Sequence, residues 1–169
     1  MHEEKVATLH PSMLTLSREP DKRVLHFTGY CINGFRFHTR KHEATKTGQN
    51  SGVMVQREDA VRIPYYGVIK DIIELRYTEG LRVVLFECEW YDTTREGLGY
   101  MRDGHSVVTL NTTRKCHADE SYVMASQTLQ VYYVQCVRNR DWYTVIETRP
   151  INFYNLAEEE EILEEHAYQ

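Results

Sequence analysis

The residues able to do chemistry fall into three groups. Arg36, His38, Arg40, Lys41, His42 and Lys46 crowd one short stretch next to aromatic strand residues. Flexible Lys and Arg in such a setting can neutralise the phosphates of a nucleic-acid backbone, which makes Arg36, Arg40, Lys41 and Lys46 the DNA-contact candidates. A solvated loop is the commoner meaning of such a run. Tyr65, Tyr66, Trp90 and Tyr91 form a second group, at the ends of two strand-like segments, with Asp92 beside them. Clustered aromatics can cage a methylated ammonium by cation–π attraction, and a carboxylate helps to draw the cation in. Packing in a core or along an edge is the plainer account.

The third group holds metal-ligand and acid–base types. Cys116 and His117, with His105 nearby, could supply soft or borderline ligands, and His38 and His42 stand four apart. A structural zinc site needs four ligands in tetrahedral array, and neither set provides them. Asp71, Glu74, Glu87, Glu89 and Asp92 are explained by polar alternation along strands. The P-loop, dinucleotide-binding, zinc-protease and nucleophile-elbow signatures are all missing, so no reaction can be named. The expectation is a non-enzyme with no catalytic residues, no metal and no cofactor.

The elements that must position these groups read as one domain. A length of 169 residues, with 41% hydrophobic and 27% charged, suits a single globular core. The formal charge of -5 comes from the tail, where Glu158, Glu159, Glu160, Glu161, Glu164 and Glu165 leave 20 basic against 19 acidic residues elsewhere. The body is thus near neutral, and no global field argues for nucleic acid or membrane. Cys31, Cys88, Cys116 and Cys136 are widely spaced and follow no signal-peptide pattern, which fits buried free thiols in a reducing, intracellular compartment. No apolar run reaches the roughly 18 residues of a membrane span.

Residues 1–23 read as an N-terminal arm or short helix, 24–154 as a β-rich domain and 155–169 as an acidic tail. Asn33-Gly34 is the preferred two-residue hairpin turn. It sets Ile32 opposite Phe35 and Tyr30 opposite Phe37, with Cys31, Arg36 and His38 on the other face. Residues 39–52 lack periodicity and read as an exposed loop, followed by a strand at 53–56.

Segments 65–77 and 82–91 form a second hairpin. Pairing Tyr77 with Arg82 gathers Ile69, Ile73, Leu75, Val84, Phe86, Cys88 and Trp90 on one face. A pairing one residue tighter sets Asp71 against Glu87, a like-charge contact, so the four-residue loop is preferred. Further strands are expected at 106–110, 129–135 and 142–147, with a loop at 92–104 and a turn at 138–141. Residues 121–128 read as a helical turn or an extended segment. The tail has helical composition, but its glutamates repel and fraying is expected. The fold class is therefore mostly β: a small antiparallel β-barrel or sandwich with long loops and short helices at the arm, near 121–128 and in the tail.

Taken in order, Asn33-Gly34-Phe35-Arg36-Phe37, Asn50-Ser51-Gly52-Val53, the run from Tyr65 to Leu75, the run from Val83 to Asp92, and Ala125-Ser126-Gln127 leading into Gln130-Val131-Tyr132-Tyr133-Val134 resemble a plant domain of unknown function. That domain lies C-terminal in CACTA-type (En/Spm-like) transposases and their domesticated relatives. The resemblance spans roughly residues 24–154. It departs after Val134, where an acidic residue and proline give way to Gln135-Cys136-Val137-Arg138. It implies a nuclear, transposon-connected protein and carries over no catalytic residues.

A fainter similarity is to the bromo-adjacent homology domain, through Gly67-Val68-Ile69 and Glu89-Trp90-Tyr91. Asp92 stands where methyl-lysine readers of that family carry an aromatic. The functional expectation is a non-catalytic accessory module engaging a protein or chromatin partner. The alternatives are direct DNA-backbone binding through 36–46, or a purely structural domain of a larger transposase.

Overall fold

A computed structural model describes residues 11–59, 61–116, 121–151 and 162–167. Its centre is a long hairpin made of β5 (Tyr65–Arg76) and β6 (Arg82–Trp90), whose β-branched and aromatic residues suit a pleated, buried surface. Three further strands flank this pair. The C-terminal half of β5 pairs with β1 (Arg23–Phe27), its N-terminal half with β4 (Gly52–Val55), and β6 with the short β9 (Tyr122–Met124). From β4 the sheet continues through β10 (Leu129–Gln135), β11 (Trp142–Glu147) and β8 (Val108–Asn111) to β7 (Tyr100–Arg102). All the pairings between these strands are antiparallel, and the sheet curls into a half-barrel.

A separate hairpin, β2 (Gly29–Ile32) and β3 (Phe35–His38), closes against the hollow of the sheet. Its register is the expected one, with Ile32 opposite Phe35 and Tyr30 opposite Phe37. Asn33 and Gly34 both take positive φ, 52° and 79°, as a type I′ turn requires. Phe35 and Phe37 point inward, and Phe37 meets Phe86 edge-on at 5.0 Å.

Apolar side chains collect in two clusters on opposite faces of β4 and β5. One holds Leu25, Phe27, Phe35, Phe37, Val53, Ile69, Ile72, Phe86, Cys88 and Trp90. The other holds Met54, Tyr66, Val68, Tyr91, Leu110, Val131 and Tyr133. Neighbours such as Val53 and Met54, or Trp90 and Tyr91, fall in different clusters because successive strand residues point to opposite faces.

The long hairpin departs from the expected register. Arg76 rather than Tyr77 pairs with Arg82, and Asp71 does stand opposite Glu87. The like-charge contact is tolerated because each carboxylate has a cationic or polar partner: Lys70 Nζ donates to Glu87 at 3.0 Å, and His26 Nδ1 lies 2.7 Å from Asp71. A β-bulge between Ile69 and Asp71 then shifts the pairing by one residue. Ile69 and Ile72 consequently share the inner face, and Ile73 and Leu75, expected beside Ile69, lie on the outer one.

Other expectations are corrected as well. The 39–52 loop contains a helical turn, α2 (Arg40–Glu43), because the Thr39 side chain accepts from His42 N–H as an N-cap. The 92–104 loop contains β7, positioned when the chain reverses at Gly97 (φ 81°) and Asp103 accepts from His105 and Val107 N–H. Residues 121–128 combine both readings, as β9 followed by a 3-10 turn at Ala125–Gln127. The tail yields a strand, β12 (Ile162–Ala167), paired with the free edge of β1, where a frayed helix was expected. The arm carries the short helix α1 (Pro11–Leu16). The expected tail boundary at 155 lies outside the described residues. Among the described residues no helix is long and apolar enough to cross a membrane.

Candidate functional site

The basic candidates are set around α2. Arg36, at the middle of β3, and Arg40, Lys41 and Lys46 are all exposed. The turn is stiffened from within, because the Glu43 carboxylate accepts from the backbone N–H of both Asn50 and Ser51 at 2.7 Å. The His38 and His42 rings lie 4.9 Å apart between centres, tilted by 56°, and Asn50 Nδ2 donates to His38 Nδ1 at 3.3 Å. Burial, followed by the nearby His42 and Arg36, holds the His38 pKa below its ordinary value. Among the described residues no three His, Cys, Asp or Glu side chains group as metal ligands, and His117 lies outside them.

The aromatic candidates are divided by the strand pleat. Tyr66 and Tyr91 are buried in the second cluster, while Trp90 belongs to the first and meets the half-exposed Tyr65 edge-on at 6.3 Å. Burial pushes both the Tyr66 and Tyr91 phenols up to about 12. The chain's own cations already occupy two of these rings. The Arg57 guanidinium lies 3.9 Å from the Tyr65 ring centre, and Lys115 Nζ lies 4.3 Å from that of Tyr91. Asp92 is engaged too: it accepts from the backbone N–H and hydroxyl of Thr94, which hold its pKa below the usual carboxylate value.

The two candidate groups meet at a polar cavity of about 190 Å³ beneath α2, where Arg40 and Tyr91 line the same space as Gln49, Lys115, Tyr133 and Tyr143. Two cations converge at its edge. Arg40 Nη1 and Lys115 Nζ donate to the same oxygen of Glu89, at 3.1 and 3.0 Å. Lys115 is the larger cause of the lowered Glu89 pKa. The opposite wall is rigid. Gln49 uses both ends of its amide on the backbone of Tyr133, and the Tyr133 hydroxyl donates to Gly67 O at 2.7 Å.

Sequence reading did not single out Lys115, Gln49, Tyr133 or Tyr143, and it took Glu89 for ordinary solvated alternation. No local signal joins residues so far apart in the chain; the curl of β4, β5, β6 and β10 brings them together. Tyr133 alone had a hint, since a tyrosine at an inward strand position needs a partner for its hydroxyl.

On the outer face of the sheet Val24, Ile73, Leu75, Leu85 and Tyr122 line a groove of about 390 Å³, roofed by residues 19–22. Tyr122 and Met124 remain 48% and 43% exposed on that side, which leaves part of the groove open.

No curated protein and no solved structure matches the chain. A family model described as Domain of unknown function (DUF4216) matches residues 73–145, so the stretch from the C-terminal half of β5 into β11 is similar to that family.

Proposed function

We propose that the chain is a non-catalytic accessory domain of a transposon-derived protein that docks onto a protein or chromatin partner. The apolar outer groove carries this reading. Contiguous apolar surface left open on a folded domain marks a site of interaction, and Tyr122 and Met124 stand exposed beside Ile73, Leu75 and Leu85. The transposon connection rests on the resemblance carried by the ordered motifs from Asn33 to Val134. The test is affinity capture from plant nuclear extract with the intact chain and with Tyr122→Ala/Leu85→Lys as paired baits. Partners held by the first and lost by the second are expected; identical captures, or none, would sink the idea.

A second reading is favoured by the four basic side chains exposed around α2. Arg36, Arg40, Lys41 and Lys46 would contact a DNA backbone, with affinity falling steeply as salt rises. Titration of labelled duplex at low salt checks it, with Arg40, Lys41 and Lys46 changed together to alanine as the control. Absence of binding by the unaltered chain removes this reading.

A further inference from the structure

The cavity beneath α2 has the properties of a small anion site. Its walls are preorganised: Gln49 is fixed at both ends, Tyr133 is tied to Gly67, and Glu43 is held by two backbone amides. Glu89 aligns two cations by receiving one hydrogen bond from each, which leaves the guanidinium and ammonium with donors to spare. Lys115 is the less exposed of the two cations, with 28% of its side chain accessible, so its charge is incompletely screened by water. The Tyr91 phenol stays protonated at neutral pH and can only add a neutral O–H. Glu43 is the opposing element, a carboxylate that lines the same space.

We propose that this cavity is a socket for one phosphate group of a nucleic-acid strand, held between Arg40 and Lys115, with Glu89 as the residue that positions both cations. A nucleic-acid source is favoured over a phosphorylated protein because Arg36, Lys41 and Lys46 stand exposed around the same turn, as contacts to successive backbone phosphates require. The proposal deepens the DNA reading above and rests on it. It differs in adding a contact from Lys115, which lies outside the turn in sequence and is brought beside Arg40 by Glu89.

The experiment has two arms, each run on the full chain. In the first, inorganic phosphate is titrated while amide resonances are followed by NMR. Saturable shifts at Arg40, Lys115 and Tyr143 are expected, abolished in Lys115→Met and strengthened severalfold in Glu43→Gln, which keeps an oxygen acceptor for Asn50 and Ser51. Shifts scattered over the surface, or unchanged in Lys115→Met, overturn the socket. In the second arm, a single-stranded oligonucleotide is titrated at several salt concentrations. Lys115→Met should weaken binding about tenfold at low salt and lower the salt slope by about one. Arg40→Gln is a second variant at an exposed position that leaves the core untouched. Undiminished oligonucleotide binding in Lys115→Met refutes the socket and leaves the exposed-turn reading standing. No binding of either the oligonucleotide or the labelled duplex by the unaltered chain refutes both, and a phosphopeptide bound in its place refutes the nucleic-acid source.

Discussion

The two hairpins at the centre of the molecule solve different problems. Hairpin β2–β3 has four residues in each strand, turns through Asn33 and Gly34, and presents Phe35 and Phe37 to a single core. Hairpin β5–β6 sets twelve residues against nine, and its first strand serves two partners and two clusters. The bulge at Lys70 falls between the part of β5 that pairs with β4 and the part that pairs with β1. A regular strand would carry one face along its whole length, whereas a bulged one bends and exchanges faces, as a curled sheet needs here. A hairpin confined to one core can obey its turn; one shared between two cores must obey its neighbours.

Deleting Lys70 is the severest test of that contrast. Loss of the extra residue keeps the Ile69–Cys88 and Asp71–Glu87 pairs in step but removes the bend between the part of β5 that serves β4 and the part that serves β1, and a large fall in the urea midpoint is expected by circular dichroism. Near-normal unfolding would show that the bulge is dispensable. Phe37→Ala is next, since Phe37 is fully buried against Phe86. It should cost about 3–5 kcal/mol in a denaturant titration. Gly67→Ala strains the long hairpin where the two strands crowd, because an added Cβ would lie 2.6 Å from Glu89 O and 2.7 Å from Trp90 Cε3. A loss of about 1–3 kcal/mol is expected from the same measurement.

Lys70→Met removes the cation bonded to Glu87 and leaves Asp71 facing it. The pair is largely exposed, so the loss should be only about 0.2–1 kcal/mol and should shrink as salt rises. The smallest effect belongs to pH and to the other hairpin. His38 has a depressed pKa, so the unfolded chain binds its proton more readily than the folded one does. The associated stability is complete above the ordinary histidine pKa of about 6.5 and is lost as pH falls from there through the folded value. Melting temperature should therefore decline between pH 7.5 and 5.5, and less so in His38→Gln.

Local pattern was sufficient wherever one turn and one face decided the outcome. Asn33-Gly34 with its flanking alternation specified β2–β3, and the apolar runs at Leu129–Gln135 and Trp142–Glu147 specified β10 and β11. In 65–91 the same reasoning favoured separating Asp71 from Glu87, because the neutralising His26 and Lys70 contacts and the demands of two cores are not visible in a single segment. The tail shows the same limit. A glutamate-rich run has no intrinsic reason to form a strand, but the edge of β1 offers unpaired backbone groups for Ile162–Ala167.

The candidate residues divide in the same way. Composition and spacing identified the basic turn and the aromatic ends as residue types, including Arg36, Arg40, Lys41 and Lys46 as exposed cations. Only the tertiary structure separated Tyr66 and Tyr91 from Trp90, engaged Tyr65 with Arg57, and brought Arg40 and Lys115 onto one oxygen of Glu89. Side-chain type and short-range register are properties of neighbouring residues, so the sequence alone determined them. A cavity whose walls come from α2, β5, β10 and β11 and from the segments that carry Tyr91 and Lys115 exists only after the sheet has curled, and its geometry depends on contacts between residues the chain holds far apart.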